Sequence, residues 1–209
     1  MASEKQSIGS SVLSTPPPPR IEQSGKLKLH LGCGKRYLPD FVHVDRANFP
    51  HIDFRCGADS LPMFENESAE LIYSSHMLEY FDRTEVRRVL EEWKRVLCPG
   101  GVLRLGVPDF EALVEVYLQT KKLDMILGPV YGRMEIVGTG TTIYHKTAYD
   151  FASLQQLLEE CGFREVRRYD WRETIHNTVD DHSQSYIPHM DKERGKHVSL
   201  NVECRKPSA

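Results

Sequence analysis

The sequence predicts an α/β protein, with a mostly parallel, doubly wound β-sheet and one antiparallel strand at an edge. Short apolar runs alternate along the chain with segments of helical periodicity, as in a parallel sheet covered by helices. Glycines and an acidic residue follow the first two apolar runs, at the sheet edge where such folds bind ligands. Two further β-type runs come late in the chain, separated by a long polar stretch, and predict a hairpin-like antiparallel edge.

Composition limits the class of protein. The 209 residues suffice for one domain, which we place at residues 26–209, after a Ser- and Pro-rich segment (1–25) expected to be a disordered tail. The formal charge of −3 with interspersed signs argues against a nucleic-acid partner, and the absence of a long apolar run argues against a membrane span. The five widely spaced cysteines suit reduced thiols, so we expect a cytoplasmic location. The oligomeric state is not predicted.

The first half of the chain reads as four strands and a helix. The predicted strands are residues 26–31, 41–45, 52–56 and 70–75. Asp82 and Glu85 form a capping-box pattern at the start of the helix, and Pro99 with the glycines that follow ends it.

The second half continues the alternation. We predict a strand at 101–108, helices over 109–122 and 149–163, and late strands at 164–171 and 197–205. Residues 123–147 are rich in Gly and Thr and show no clear period.

The stretch LKLHLGCGKRYLPDFVHVD, residues 27–45, suggests a site for a nucleoside. Gly32 and Gly34 follow the first strand, where a missing Cβ lets the backbone approach a ligand closely. Asp45 ends the neighbouring strand and can accept hydrogen bonds from both hydroxyls of a ribose. Asp59 lies beyond the third strand and can accept from the exocyclic amine of adenine, with an apolar Leu-Pro-Met run beside it.

A dinucleotide cofactor fits this spacing poorly. The G-x-G-x-x-G fingerprint lacks its third glycine, since Tyr37 occupies that place, and the acid arrives much sooner than the usual twenty residues. No helix with clean periodicity follows to hold a pyrophosphate at its N-terminus. A cofactor without phosphates is therefore favoured.

Three ordered segments resemble the class I S-adenosylmethionine-dependent methyltransferases. They are LHLGCGKRYLPDFVHVD, ADSLPMFENESAELIYSSHMLEYF and EVRRVLEEWKRVLCPGGVLRLGVPD, and the resemblance covers roughly residues 26–165. It implies a Rossmann-like, seven-stranded sheet with S-adenosylmethionine across the strand ends. The residues that it places at the cofactor are Gly32, Cys33, Gly34, Asp45, Asp59, Ser75 and His76.

Two positions depart from the family pattern. His30 stands two residues before the first glycine, where the family usually has an acid near the cofactor's amino group, and Arg36 replaces the third glycine. His76 itself has two interpretations, a contact to cofactor or acceptor and a hydrogen-bonded core histidine.

We place the acceptor-binding residues in the region after the fifth strand, which lies over the substrate in this fold. Its glycines suggest a mobile or closely packed lid. His145 is the candidate catalytic base for a hydroxyl acceptor, with Tyr144 and Tyr149 as substrate contacts; a structural hydrogen bond to the lid is the alternative role for His145.

The polar stretch 172–197 is either a substrate cover that uses Asp181 and Tyr186, or a surface loop. It has no familiar metal-ligand spacing, and we predict no metal.

The sequence therefore predicts a methyltransferase that uses S-adenosylmethionine to methylate a hydroxyl or amine of a small molecule. No N-P-P-Y-like motif follows the fourth strand, where SSHM stands, and this argues further against nucleic-acid substrates. Two alternatives stay open. One is a non-catalytic S-adenosylmethionine-binding protein, which the departures from the family pattern at His30 and Arg36 suggest. The other is a protein methyltransferase.

Overall fold

A computed structural model describes residues 25–208 of the chain. The predicted disordered tail, residues 1–25, falls outside the described residues except for Gly25. The helices are α1 (Glu85–Val96), α2 (Phe110–Thr120), α3 (Asp124–Tyr131) and α4 (Phe151–Glu160), with single 3-10 turns at Leu78–Tyr80, Trp171–Glu173 and His182–Gln184. The strands are β1 (Leu27–Leu31), β2 (Val42–Asp45), β3 (Phe54–Arg55), β4 (Ala69–Ser75), β5 (Leu97–Pro108), β6 (Met134–Ile136), β7 (Thr141–Ile143), β8 (Arg164–Arg168), β9 (Tyr186–Ile187), β10 (Lys196–His197) and β11 (Ser199–Arg205).

Seven strands form one mixed sheet in the order β3-β2-β1-β4-β5-β11-β8. β11 runs antiparallel to both of its neighbours, β5 and β8, whereas the pairs from β3 to β5 are all parallel. The predicted fold class is thus confirmed, and the two late strands pair with each other at this end of the sheet. The antiparallel strand itself lies one place inward, with β8 outside it.

The local signals at α1 act as the sequence predicted. The Asp82 side chain accepts a hydrogen bond from the Glu85 backbone N–H at 2.8 Å, and the Glu85 carboxylate accepts one from the Asp82 N–H at 2.9 Å. Each side chain therefore satisfies a backbone donor that the first helical turn leaves without a partner.

One face of the sheet is covered by α1 and α4. Their apolar residues share a single buried cluster with alternate residues of β1, β4, β5 and β11. Trp93 of α1 is fully buried and donates its indole N–H to the carbonyl of Ala58 at 2.7 Å, so even this large ring leaves no unpaired donor. The cluster holds β1, β4 and β5 in place beneath the cleft described below.

The opposite face over β1 and β4 is covered by irregular chain. Leu38 and Phe41 pack there against Leu71 and Tyr73, and Val179 joins them from the polar stretch 172–197. The ring of His176 stacks on the ring of Tyr73 at 4.0 Å between centroids. The polar stretch is therefore packed against the sheet, which accounts for its many buried polar side chains.

Among residues 25–208, none of the helices has the length and apolar character needed to cross a membrane.

Candidate active site

A cleft of about 860 Å³ opens at the carboxyl ends of β1, β2 and β4. It is lined by most of the residues that the sequence singled out, which are Gly32, Cys33, Gly34, Asp45, Asp59, Ser75, His76, Tyr144, His145 and Asp181. Tyr149 and Tyr186 do not line it. The chain ends of three adjacent parallel strands thus build the site, as expected for a doubly wound sheet.

The turn after β1 uses both of its glycines in the left-handed conformation. Gly32 has φ +67° and Gly34 has φ +54°. A Cβ on Gly32 would lie 2.4 Å from Cγ of Met77, whereas a Cβ on Gly34 would point into open space. Between them, Cys33 is buried, and burial together with the nearby Asp45 carboxylate raises the pKa of its thiol to about 12. Cys33 therefore presents a neutral thiol to the cleft and no nucleophilic thiolate.

Asp45 is held rigidly by the backbone around it. One carboxylate oxygen accepts the N–H of Gly34 and the other accepts the N–H of Ala47, each at 2.7 Å. Each oxygen keeps further lone pairs. The carboxylate is therefore oriented in advance and can still accept hydrogen bonds from a ligand.

Asp59 lines the cleft beside Arg46. Its carboxylate is 3.1 Å from the Arg46 guanidinium, and both side chains are about half exposed. An exposed ion pair of this kind is weak. Asp59 can therefore exchange the contact with Arg46 for a contact with a base, but it is held less firmly than Asp45.

The opposite end of the cleft lies beyond β4. The hydroxyl of Ser75 is buried there and has no hydrogen-bond partner among the described residues. His76 has φ +51°, and its Nε2 lies 3.0 Å from the Ser199 hydroxyl. Burial, with His182 and His145 nearby, lowers the pKa of His76 well below its usual value, so the ring is neutral.

Glu79 is a residue that the sequence reasoning missed. Its side chain is 0 % exposed, and neither carboxyl oxygen has a hydrogen-bond partner in the described part of the chain. Burial raises its pKa to about 8. The carboxyl lies 3.8 Å from Nδ1 of His76 and 3.6 Å from Nε2 of His145. An acid directly after "SSHML" was the available signal, but only the fold shows that this acid is desolvated.

His145 directs both ring nitrogens away from open solvent. Nδ1 lies 2.9 Å from the carbonyl of Pro129, so Nδ1 carries the proton in the neutral ring. Nε2 faces Glu79 and packs over Gly132, where a Cβ would come within 1.8 Å of it. Burial lowers the pKa of His145. His145 lines the cleft, yet in this arrangement it also fastens the chain around residues 129–132.

The remaining predicted contacts divide into two groups. Tyr144 is 51 % exposed and lines the cleft, and Asp181 lines it while accepting hydrogen bonds from the Tyr73 hydroxyl and the Ser183 N–H. Tyr149 is instead buried in the main core, and Tyr186 accepts a hydrogen bond from Arg172 away from the cleft. The prediction that these two tyrosines contact the substrate is therefore wrong, because both are buried by tertiary packing away from the cleft. The acceptor site proposed below does not include them.

His182 is a second residue that the sequence did not single out as a contact. It lines the cleft, its ring meets the His76 ring edge-on at 5.2 Å, and its side chain has no hydrogen bond among residues 25–208. The residue is exposed at the cleft, and partial desolvation together with the charge of Arg36 lowers its pKa. Its ring nitrogens are therefore available to a ligand.

The β6–β7 hairpin forms a roof over the cleft. The backbone N–H of Asn48 donates to the carbonyl of Val137 at 3.0 Å, and Arg55 donates to the carbonyl of Gly138 at 3.3 Å. A Cβ on Gly138 would lie 2.8 Å from Cβ of Asn48. The predicted lid is therefore closely packed where it meets the connection after β2 and the end of β3.

The histidines and acids do not assemble into a metal centre: residues 25–208 contain no group of three or more His, Cys, Asp or Glu side chains arranged to hold a metal ion.

Comparison with known proteins agrees with the fold. Residues 36–105 match a family model described as a methyltransferase domain. A search of curated protein sequences finds no match.

Solved structures with the same fold include a SAM-dependent methyltransferase from Methanosarcina mazei, with 16% identity, coverage of 90% of this chain and 95% of that one, and a TM-score of 0.53. A SAM-dependent methyltransferase from Archaeoglobus fulgidus has 15% identity, coverage of 87% and 86%, and a TM-score of 0.52. The 1,6-didemethyltoxoflavin-N1-methyltransferase of Burkholderia thailandensis, with bound 1,6-didemethyltoxoflavin and S-adenosylhomocysteine, has 13% identity, coverage of 87% and 71%, and a TM-score of 0.51.

The fold and the cleft define an α/β protein with a site at the carboxyl ends of parallel strands. Residues 36–105 match a methyltransferase domain, and the solved structures that share the fold include SAM-dependent methyltransferases. These findings support the predicted family, the enzyme class and S-adenosylmethionine as the cofactor.

The side chains of the cleft fit this cofactor. Asp45 offers oriented acceptors for the ribose, the open space at Gly34 leaves room for a ligand against the backbone, and the Ser75 hydroxyl is a buried polar atom that needs a partner.

Proposed function

We propose that the protein transfers a methyl group from S-adenosylmethionine to a hydroxyl or amine of a small-molecule acceptor. The observation that carries this proposal is the β6–β7 roof, which is hydrogen-bonded through Asn48 and Arg55 to the connection after β2 and to β3. The roof leaves a cleft within the size range of small-molecule sites. A polypeptide acceptor would have to enter beneath it.

The cofactor contacts follow from the positions of the side chains. We assign the ribose hydroxyls to Asp45 and the adenine amine to Asp59, with the backbone of residues 32–34, including Cys33, beneath the sugar and the sulfur. Ser75 and His76 lie at the methionine end. Asp45 contributes most to the free energy of cofactor binding, because backbone donors orient both of its oxygens and charge-assisted hydrogen bonds are strong.

When bound, S-adenosylmethionine supplies a methyl group on a positively charged sulfur. The part of the protein is to hold the acceptor atom in line with that group and to exclude water. Tyr144 and Asp181 are our candidates for acceptor contacts, since both line the cleft on the side of the roof and the polar stretch.

Two histidines compete for the role of base toward a hydroxyl acceptor. The sequence favoured His145, whose Nε2 faces Glu79 and whose Nδ1 faces Pro129. His182 also lines the cleft and has no internal hydrogen bond in the described part of the chain. We therefore propose His182 as the residue that meets the acceptor and His145 as the residue that holds the roof, and both are tested below.

Calorimetry with S-adenosylhomocysteine tests the cofactor assignment. The wild-type protein should bind at one site, and Asp45→Ala should weaken binding by about 1.5–3 kcal/mol, as expected for hydrogen bonds to a charged group. Asp40→Asn is the matched control, because it removes an acidic charge from the same connection without touching the cleft. An Asp45→Ala variant that binds as well as Asp40→Asn would overturn the assignment.

The acceptor is tested by following S-adenosylhomocysteine formation with panels of small hydroxyl, amine and thiol compounds and with unfolded polypeptides. Turnover with a small compound alone supports the proposal. Turnover with polypeptides alone would show a protein methyltransferase. Tight cofactor binding without turnover of either panel would favour the non-catalytic alternative.

A further inference from the structure

The methionine end of the cleft differs in charge from the pattern that the family resemblance implies. His30 stands where an acid is usual, and Arg36 stands where a glycine is usual. Both residues line the cleft. Together the two changes remove one negative charge and add one positive charge at the same end of the site.

Arg36 has unused hydrogen-bonding capacity toward the cleft. Its Nε donates to the backbone carbonyl of Asp180 at 3.2 Å, and no carboxylate among residues 25–208 lies within ion-pair distance of its guanidinium. The Asp180 carboxylate pairs instead with Lys192 at 3.0 Å. A guanidinium has five N–H donors in a planar fork that matches a carboxylate.

The hydrogen bond from Nε of Arg36 to the carbonyl of Asp180 places the guanidinium beside His182, whose ring meets the ring of His76 beyond β4. The charge of Arg36 contributes to lowering the pKa values of His30, His76 and His182. Desolvation is the larger cause at all three residues. These three rings line the cleft from β1, from the end of β4 and from the polar stretch. Arg36 therefore lies among the groups at the end opposite Asp59.

His30 cannot replace the missing acid by charge. It is 2 % exposed, burial lowers its pKa well below the usual value, and its ring has no hydrogen bond in the described part of the chain. A neutral imidazole can still accept one hydrogen bond from an ammonium group, as can the unpartnered hydroxyl of Ser75. These two residues offer acceptors but no negative charge.

We propose that this protein recognises the amino-acid part of its cofactor mainly through its carboxylate, which Arg36 binds, while His30 and Ser75 accept hydrogen bonds from the ammonium group. The inference rests on the proposed cofactor site. It assigns to Arg36 a carboxylate-binding role at a position where the family pattern has a residue without a side chain. The guanidinium, fixed at Nε by the carbonyl of Asp180, keeps its terminal N–H groups for the ligand.

The test compares two ligands that share a nucleoside. S-adenosylhomocysteine carries the amino acid, whereas 5′-methylthioadenosine ends at a methyl group on the sulfur. Calorimetry of the wild type, Arg36→Met, Arg36→Lys and Lys35→Met should be run with both ligands, and circular dichroism and thermal melting should check the fold of each variant.

Arg36→Met should weaken S-adenosylhomocysteine by roughly 10- to 100-fold, the scale of lost hydrogen bonds to a charged group, and should change methylthioadenosine by less than about twofold. The affinity of Arg36→Lys for S-adenosylhomocysteine should lie between those of the wild type and Arg36→Met, because lysine keeps the positive charge but lacks the planar set of N–H donors. Lys35→Met, which removes an adjacent charge on the same cleft, should weaken S-adenosylhomocysteine by no more than about threefold.

Three results would overturn the inference. They are an unchanged affinity of Arg36→Met for S-adenosylhomocysteine, equal losses for both ligands, and equal effects of Arg36→Met and Lys35→Met. If Arg36→Met does not fold, the same comparison is decided by Arg36→Lys. Failure of the wild type to bind either ligand would instead contradict the proposed cofactor site itself, which separates the two failures.

Discussion

Replacing Glu79 with glutamine should reveal a buried carboxyl that is protonated at neutral pH. The side chain has no exposure and no hydrogen bond in the described part of the chain, and burial raises its pKa from 4.5 to about 8. A carboxyl with a raised pKa holds its proton more tightly in the folded state. Its contribution to stability is complete below about pH 4.5 and is lost as the pH rises toward 8.

The magnitude follows from the interval between the two pKa values. Each pH unit well inside this interval changes the free energy of unfolding by about 1.4 kcal/mol, so the carboxyl should cost the wild type about 4 kcal/mol by pH 8–9 relative to pH 5. Glutamine has nearly the same shape and cannot ionise. Glu79→Gln should therefore gain stability relative to the wild type by this amount over the same range.

Urea unfolding of both proteins at each pH from 5 to 9 measures the difference directly. The difference between the two proteins removes the contributions of the buried histidines, whose lowered pKa values make both proteins less stable as the pH falls below about 6.5. Glu91→Gln, on the exposed face of α1, is the control and should differ from the wild type by no more than about 0.5 kcal/mol throughout.

A difference that stays flat, or that favours the wild type as the pH rises, would refute the reasoning. It would mean that Glu79 is ionised in the folded protein and paired with a protonated His76 or His145, which lie 3.8 Å and 3.6 Å away.

The two remaining predictions concern the histidines and the N-terminal segment. His182→Gln should reduce turnover of a hydroxyl acceptor by roughly 10²–10⁴-fold and abolish the rise of the rate with pH, while the melting temperature stays unchanged. His145→Gln should instead lower the melting temperature, because it breaks the contact between the His145 ring and the carbonyl of Pro129. The reverse pattern, measured by pH–rate profiles and melting curves, would restore His145 as the base. Deleting residues 1–20 should leave melting temperature and cofactor affinity essentially unchanged, because a polar, Pro-rich segment buries little apolar surface; a large loss of either would show that the domain boundary is misplaced.

The sequence by itself determined the features that depend on near neighbours. Gly32 and Gly34 mark a turn with positive φ values, where Gly32 also packs closely against Met77, and Asp45 is the last residue of the strand beside that turn. The exchange between Asp82 and Glu85 spans three residues. Such features are readable because backbone sterics and capping are local.

Only the tertiary structure decided which side chains are desolvated and which face the cleft. Glu79 looks like an ordinary acid in the sequence, but its carbonyl accepts the N–H groups of Lys146 and Thr147, and this docking encloses its carboxyl next to two histidines. The sequence predicted that Tyr149 and Tyr186 line the cleft, but in the fold both are buried away from it.

The polar stretch 172–197 shows the same limit. The sequence offered Asp181 as a cleft residue in one of two alternatives, but no periodicity predicts that His176 stacks on Tyr73 or that His182 reaches the cleft from this stretch. Those contacts join residues about a hundred positions apart. They depend on the exclusion of water by the whole sheet, a property that neither spacing nor composition along the chain contains.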